Sequence, residues 1–132
     1  MSEQKSISNA ERFLKAGARK PRIEHTIIPA LSMGIHVREI TTAERDTLDG
    51  ILAQGKDNES RAIVIAACLC NEDGTPMFPS TIDPVNGKPK FADGVIDRIK
   101  DMVASATEPM FKFACKMNGI GQQQGVDPAT GK

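Results

Sequence analysis

The sequence predicts a small α+β domain, an N-terminal β-hairpin packed on three or four helices, and three observations lead there. Between residues 24 and 40, apolar side chains recur in an extended pattern around Ser32-Met33-Gly34, a glycine-containing turn between two β-rich runs. At Thr41 the period changes, and Thr41-Thr42-Ala43-Glu44 has the spacing of a helix-opening capping box. Further on, GVIDRIKDMVASA (residues 94–106) places Val95, Ile99, Met102, Val103 and Ala106 on one stripe at ~100° per residue, with Ile96 at its edge.

Each element follows from local chemistry. Residues 1–23 are polar and basic and are expected to form a loosely ordered arm. Within it, Ser8-Asn9-Ala10-Glu11 can cap a short helix through Phe13 and Leu14, which Gly17 and Pro21 limit. In the hairpin, Ile27, Ile28 and Leu31 precede the turn and Ile35, Val37 and Ile40 follow it. Pro29 cannot donate to a strand ladder, so the first strand is predicted at an edge or interrupted there. After the capping box, Leu48, Ile51 and Leu52 make a short helical stripe that fades by Gly55.

The run AIVIAACLC, residues 62–70, carries no charge and is expected to be buried. Its β-branched residues favour a strand and its alanines a helix, and periodicity does not decide between them. Asn71-Glu72-Asp73-Gly74 is a strong turn signal and the centre of a second short hairpin. Residues 79–90, rich in proline, read as an irregular connector. Thr107-Glu108-Pro109 looks like the start of the last helix, and Asn118-Gly119 like its left-handed end. Residues 24–119 therefore form the domain, and 120–132, glycine- and glutamine-rich, a flexible tail.

The last helix is apolar over an unusually wide arc. Met110, Phe113, Ala114 and Met117 share one face, Phe111 and Cys115 lie roughly 100–140° round from its centre, and Lys112 and Lys116 mark the polar side. Either the helix is wedged between two parts of its own core, or part of it meets another chain. Met110, Phe111, Phe113 and Met117 are the candidate partner-binding residues.

Composition narrows the chemistry. Lys plus Arg and Asp plus Glu both number 17, so a net charge of zero argues against nucleic acid or an anionic membrane as main partner. No apolar run approaches the ~18 residues of a membrane span, and three cysteines without a signal peptide suggest a reduced cytosolic chain. Cys68 and Cys70, a C-x-C pair, lack the spacing and the second ligand pair of a zinc site, even with His25 or His36. A Cys115–His36 nucleophile pair has nothing further to recommend it. GVDPATGK has one residue too many between its glycines for a phosphate loop. No catalytic residues, metal or cofactor are expected, and the chain does not read as an enzyme.

Taken in order, VREITTAERDTL after a hairpin, AIVIAACLC, NEDGTPMF, GVIDRIKDMVASA and a helix ending at MNG resemble the tail assembly chaperones of long-tailed, lambda-like bacteriophages, over residues 24–119. The resemblance implies a non-catalytic protein in the host cytoplasm that coats and solubilises the tape-measure protein and is absent from the mature virion. It also implies self-association, and a longer frameshift product that recruits the tail tube protein. Adaptable Met and Phe surfaces suit many weak, displaceable contacts. Two other readings compete with it. Another virion-assembly protein, a head–tail joining or minor tail component, would stay in the particle. A small nucleic-acid-binding regulator would use the basic residues 5–22 and bind with steep salt dependence.

Overall fold

The computed structural model describes residues 2–54 and 58–121, with side chains from residue 8 onward. Helix α1 (Ser2–Gly17) is followed by strand β1 (Ile23–Ile28), a 3-10 turn (Pro29–Leu31) and strand β2 (Met33–Arg38). Helices α2 (Thr42–Gln54) and α3 (Ser60–Cys68) lead into the two-residue strand β3 (Leu69–Cys70). A small hairpin, β4 (Thr81–Ile82) and β5 (Pro89–Lys90), precedes helices α4 (Val95–Lys100) and α5 (Ala104–Asn118). The protein is α+β, with an antiparallel sheet in the order β1-β2-β3 and the β4–β5 pair apart from it.

The hairpin forms as predicted, but its turn lies earlier. Ile28 pairs with Met33, leaving Pro29-Ala30-Leu31-Ser32 as the loop. Ser32 takes the left-handed conformation (φ 52°) that closes such loops. Gly34 sits inside β2 instead, where the His25 ring lies across it from β1 and a Cβ would overlap that ring. The inward row holds Ile28, Ile35 and Val37, all buried.

The capping box at the strand-to-helix corner is present in both directions. Glu44 N–H donates to Thr41 Oγ1 at 3.1 Å, and Thr41 N–H donates to Glu44 Oε1 at 2.9 Å. At the other end, the buried Ser60 hydroxyl donates to the Ile51 carbonyl at 3.4 Å, pinning the start of α3 to α2.

The uncharged run turns out to be both structures. Residues through Cys68 are helical, and Leu69 and Cys70 then pair with Val37 and His36. Every side chain from 62 to 70 except Ala67 is buried. Burial on all sides overrides the strand preference of Ile63, Val64 and Ile65, because packing outweighs propensity at a fully enclosed site. Helix α3 is the centre of the domain and packs against α2, α4 and α5. After β3, the Asn71–Thr75 turn closes through Asn71 N–H to the Thr75 carbonyl (2.8 Å), and Gly74 has φ 89°. A bridge between Cys70 and Pro76 makes this the short second hairpin. The connector from 79 to 90 contains β4 and β5, a hairpin the prolines concealed.

The amphipathic stripe at residues 94–106 is not one helix. It breaks at 101–103, so Ile99 and Ala106 are buried while Met102 and Val103 are exposed. Helix α5 then starts at Ala104, before the expected opening, and Pro109 lies inside it. Proline costs a helix the bond to the carbonyl four residues back. That carbonyl belongs to Ser105, which is exposed, so water can satisfy it. Asn118-Gly119 ends α5 as expected: Gly119 is left-handed (φ 66°), and Ile120 N–H donates to the Cys115 carbonyl at 3.0 Å.

Secondary structure and contacts continue beyond residues 24–119. Helix α1 begins at Ser2 rather than after Ser8, and its side chains from residue 8 are all exposed. Ile120 is buried in the core, and Gly121 N–H donates to the buried Asp49 carboxylate at 2.5 Å. The rest of the predicted tail, 122–132, lies outside the described residues.

Candidate partner-binding surface

Four residues of α5 were selected by helical spacing, and the fold separates them. Met110 is a correction: it is 3% exposed, enclosed with Ala106 and Ala114 in the main core, and is not available to a partner. The wheel located an apolar face correctly, but the centre of that face is spent on the chain's own interior. Phe111, Phe113 and Met117 are half-buried against the core, each with part of its surface open.

The wide arc has a packing explanation. Helix α5 packs against α3 and also against the Pro29–Leu31 turn and β1, so it needs more apolar surface than one docking face. On the α3 side, the Arg61 guanidinium sits over the Phe111 ring, 5.0 Å from its centroid, a cation–π contact that shields that ring further. Cys115 lies close enough to Asp49 and Arg61 for both charges to act on it. Burial pushes its thiol up to about 11, with Asp49 adding to the shift and Arg61 opposing it.

Apolar surface left fully open lies elsewhere, in places the spacing argument did not select. Ile27 and Met33, on the hairpin beside its turn, are 65% and 52% exposed. Phe13 and Leu14 project from α1, at 75% and 66%. Met102 and Val103 mark the α4–α5 corner, and Ile82 and Val85 the β4–β5 hairpin. The signal for Ile27 was present in the alternation of the strands: once Ile28 faces inward, its neighbour must face out. Met33 shares the row of Ile35 and Val37 and is open because it lies at the end of that row, beside the turn.

Behind this surface, a polar clasp sets the position of α5. Asn118 at its last turn accepts from Ile40 N–H (2.9 Å) and donates to the carbonyls of Arg38 (3.1 Å) and Ala114 (3.3 Å). Arg38 donates to both carboxylate oxygens of Glu44 (3.2 and 2.8 Å) and to the Ala67 carbonyl (2.9 Å). The Glu44 hydrogen bond raises Arg38 above its usual range. Burial works against charge on Glu44, but hydrogen bonds from Arg38 and Thr41 prevail and lower it. The Arg38–Glu44 ion pair, 2.8 Å, is part of the lining of a cleft of about 310 Å³ shared by α2 and the β4–β5 hairpin, so the two charges there are paired.

Of the cysteines, Cys70 lies beside a histidine, as the cross-strand partner of His36. Cys68 and Cys70 are buried, and burial pushes the Cys68 thiol up to about 12. His25 and His36 face each other across the hairpin, ring centroids 4.9 Å apart. Among the described residues, no group of three or more His, Cys, Asp or Glu is arranged to hold a metal ion, and no helix is long and apolar enough to cross a membrane. A scan against protein-family models, a search of curated proteins and a search of solved structures each found no match.

Proposed function

We propose that this chain is a phage tail assembly chaperone, a non-catalytic protein that coats the tape-measure protein in the host cytoplasm and leaves as the tail tube forms. The observation that carries the proposal is the open apolar surface distributed over several elements, with Phe111, Phe113 and Met117 half-open on α5 and Ile27 and Met33 open on the hairpin. A coat on a long helical chain requires many modest apolar contacts, each easily displaced, rather than one deep pocket. The ordered resemblance of residues 24–119 supports the same conclusion. A longer frameshift product would then bring in the tail tube protein, and copies of the chain would lie side by side along the tape measure.

Co-expression with a tape-measure fragment tests the proposal. The fragment should become soluble and elute with the chain, and Met33→Glu, at an open position of the hairpin, should weaken the complex at least tenfold with an unchanged circular dichroism spectrum. A fragment that stays insoluble, with no complex eluting, would sink the proposal.

A further inference from the structure

Among the described residues, strand β1 lies at the edge of the sheet and pairs only with β2. Glu39 N–H donates to the Arg22 carbonyl at 2.9 Å, which sets the phase of the ladder. Counting by twos, Glu24, Thr26 and Ile28 exchange bonds with β2, while Ile23, His25 and Ile27 turn their N–H and C=O groups to the open edge. Edge strands are commonly protected by a lysine, a bulge or an internal proline. β1, IEHTII, contains none of these; its one charged residue, Glu24, is ion-paired with Arg22, and Ile27 is exposed.

About His25 the outward-facing positions of this edge mirror one another, although the alternate positions, Glu24 with Thr26 and Arg22 with Ile28, do not. Ile23 and Ile27 stand two residues away on either side, and Pro21 and Pro29 stand four away. An edge whose outward-facing positions are symmetric about one residue is self-complementary there when two copies run antiparallel. We propose that two copies of this chain join edge to edge through β1, about a two-fold axis at His25, merging two three-stranded sheets into one.

In this register His25 pairs with His25 of the partner subunit, and Ile23 with the partner's Ile27 on both sides of the axis. These are the residues whose backbone groups face outward, so each pair exchanges two hydrogen bonds. The prolines bracket the pairing, since neither can donate beyond it. Charge does not oppose it: Arg22 and Glu24 form an ion pair at 2.6 Å, so no uncompensated like charges are brought together. A six-residue strand is ~20 Å long, and two such edges bury on the order of several hundred Å², below the ~1,200–2,000 Å² of a stable interface. The dimer is therefore weak and reversible. The inference stands independently of the chaperone proposal.

Crosslinking and sedimentation test it, with Cys115→Ser as background because that thiol is only half-buried. His25→Cys places two cysteines across the axis at ~5.5 Å between Cα atoms, within disulfide reach, and should give oxidised dimer that increases with concentration. Glu24→Cys lies on the other face, opposite the partner's Thr26, and should crosslink at least tenfold less. Ile27→Lys leaves the β1–β2 ladder untouched and should raise the dimer Kd at least tenfold with an unchanged circular dichroism spectrum. The pairing is overturned if the unmodified chain sediments as a monomer at millimolar concentration. Equal crosslinking of the two cysteine variants, or undiminished association of Ile27→Lys, overturns it as well.

Discussion

Replacing Asn118 with alanine should loosen the corner where β2 gives way to α2, although Asn118 is 78 residues from the Ile40 amide it holds. Its side chain makes three backbone hydrogen bonds, to Ile40 N–H and to the Arg38 and Ala114 carbonyls. A hydrogen bond contributes ~1 kcal/mol net, and a half-buried group left without a partner costs at least as much, so the loss is ~2–3 kcal/mol. Alanine's better helix propensity returns ~0.5 kcal/mol, leaving about 2 kcal/mol. For a domain of this size that lowers the melting temperature by ~6–10 °C. Thermal melts by circular dichroism would measure it, with Lys116→Ala on the exposed side of the same helix as a control within ~0.5 kcal/mol. Hydrogen exchange at the Ile40 amide should accelerate in the variant. A melting shift below ~2 °C, or an unchanged Ile40 exchange rate, would show that the clasp does not hold the corner.

Two further outcomes follow from the ionisable groups. Hydrogen bonds from Arg19 and from Arg22 N–H hold the Glu39 carboxyl at about 2, against 4.5 for an ordinary glutamate. The folded state binds that proton less tightly than the unfolded one, so the stabilisation is full above pH about 4.5 and is lost as pH falls towards about 2. Glu39 is at the surface, which limits the effect to ~1 kcal/mol; Glu39→Gln should flatten the acid limb of an unfolding-versus-pH profile, and an unaltered limb would contradict the assignment. Burial holds the Cys68 thiol at about 12 and Cys115 at about 11, so neither is a thiolate at pH 8. Ellman's reagent should label the native chain slowly and all three cysteines once urea unfolds it; native labelling of Cys68 at the rate of a free thiol would contradict its burial.

Features made within a few residues were legible before any coordinates. The Thr41–Glu44 box, the Asn71–Gly74 turn and the Asn118–Gly119 helix end are all closed by bonds spanning three to five residues, so the residue types are sufficient to announce them. Asn118 shows the limit of such reading. Its place at a helix end was visible, but its bonds to Arg38 and Ile40 were not, because they join segments far apart in the chain. The binding-surface candidates divide for the same reason. Helical spacing identified an apolar arc, and only the positions of α3 and the Pro29–Leu31 turn determined that Met110 is enclosed while Phe111, Phe113 and Met117 stay half-open.

By itself, then, the sequence determined the α+β class, the hairpin followed by a capped helix, and the burial of residues 62–70, since alternation, capping chemistry and the absence of charge act locally. Tertiary structure decided that this buried run is helix and then strand, that the stripe at 94–106 breaks with Met102 and Val103 outside, and that β1 keeps an open edge. Those outcomes depend on which surfaces α3 encloses and which strand lies last in the sheet, and the free energy of burial is settled between segments distant in the chain.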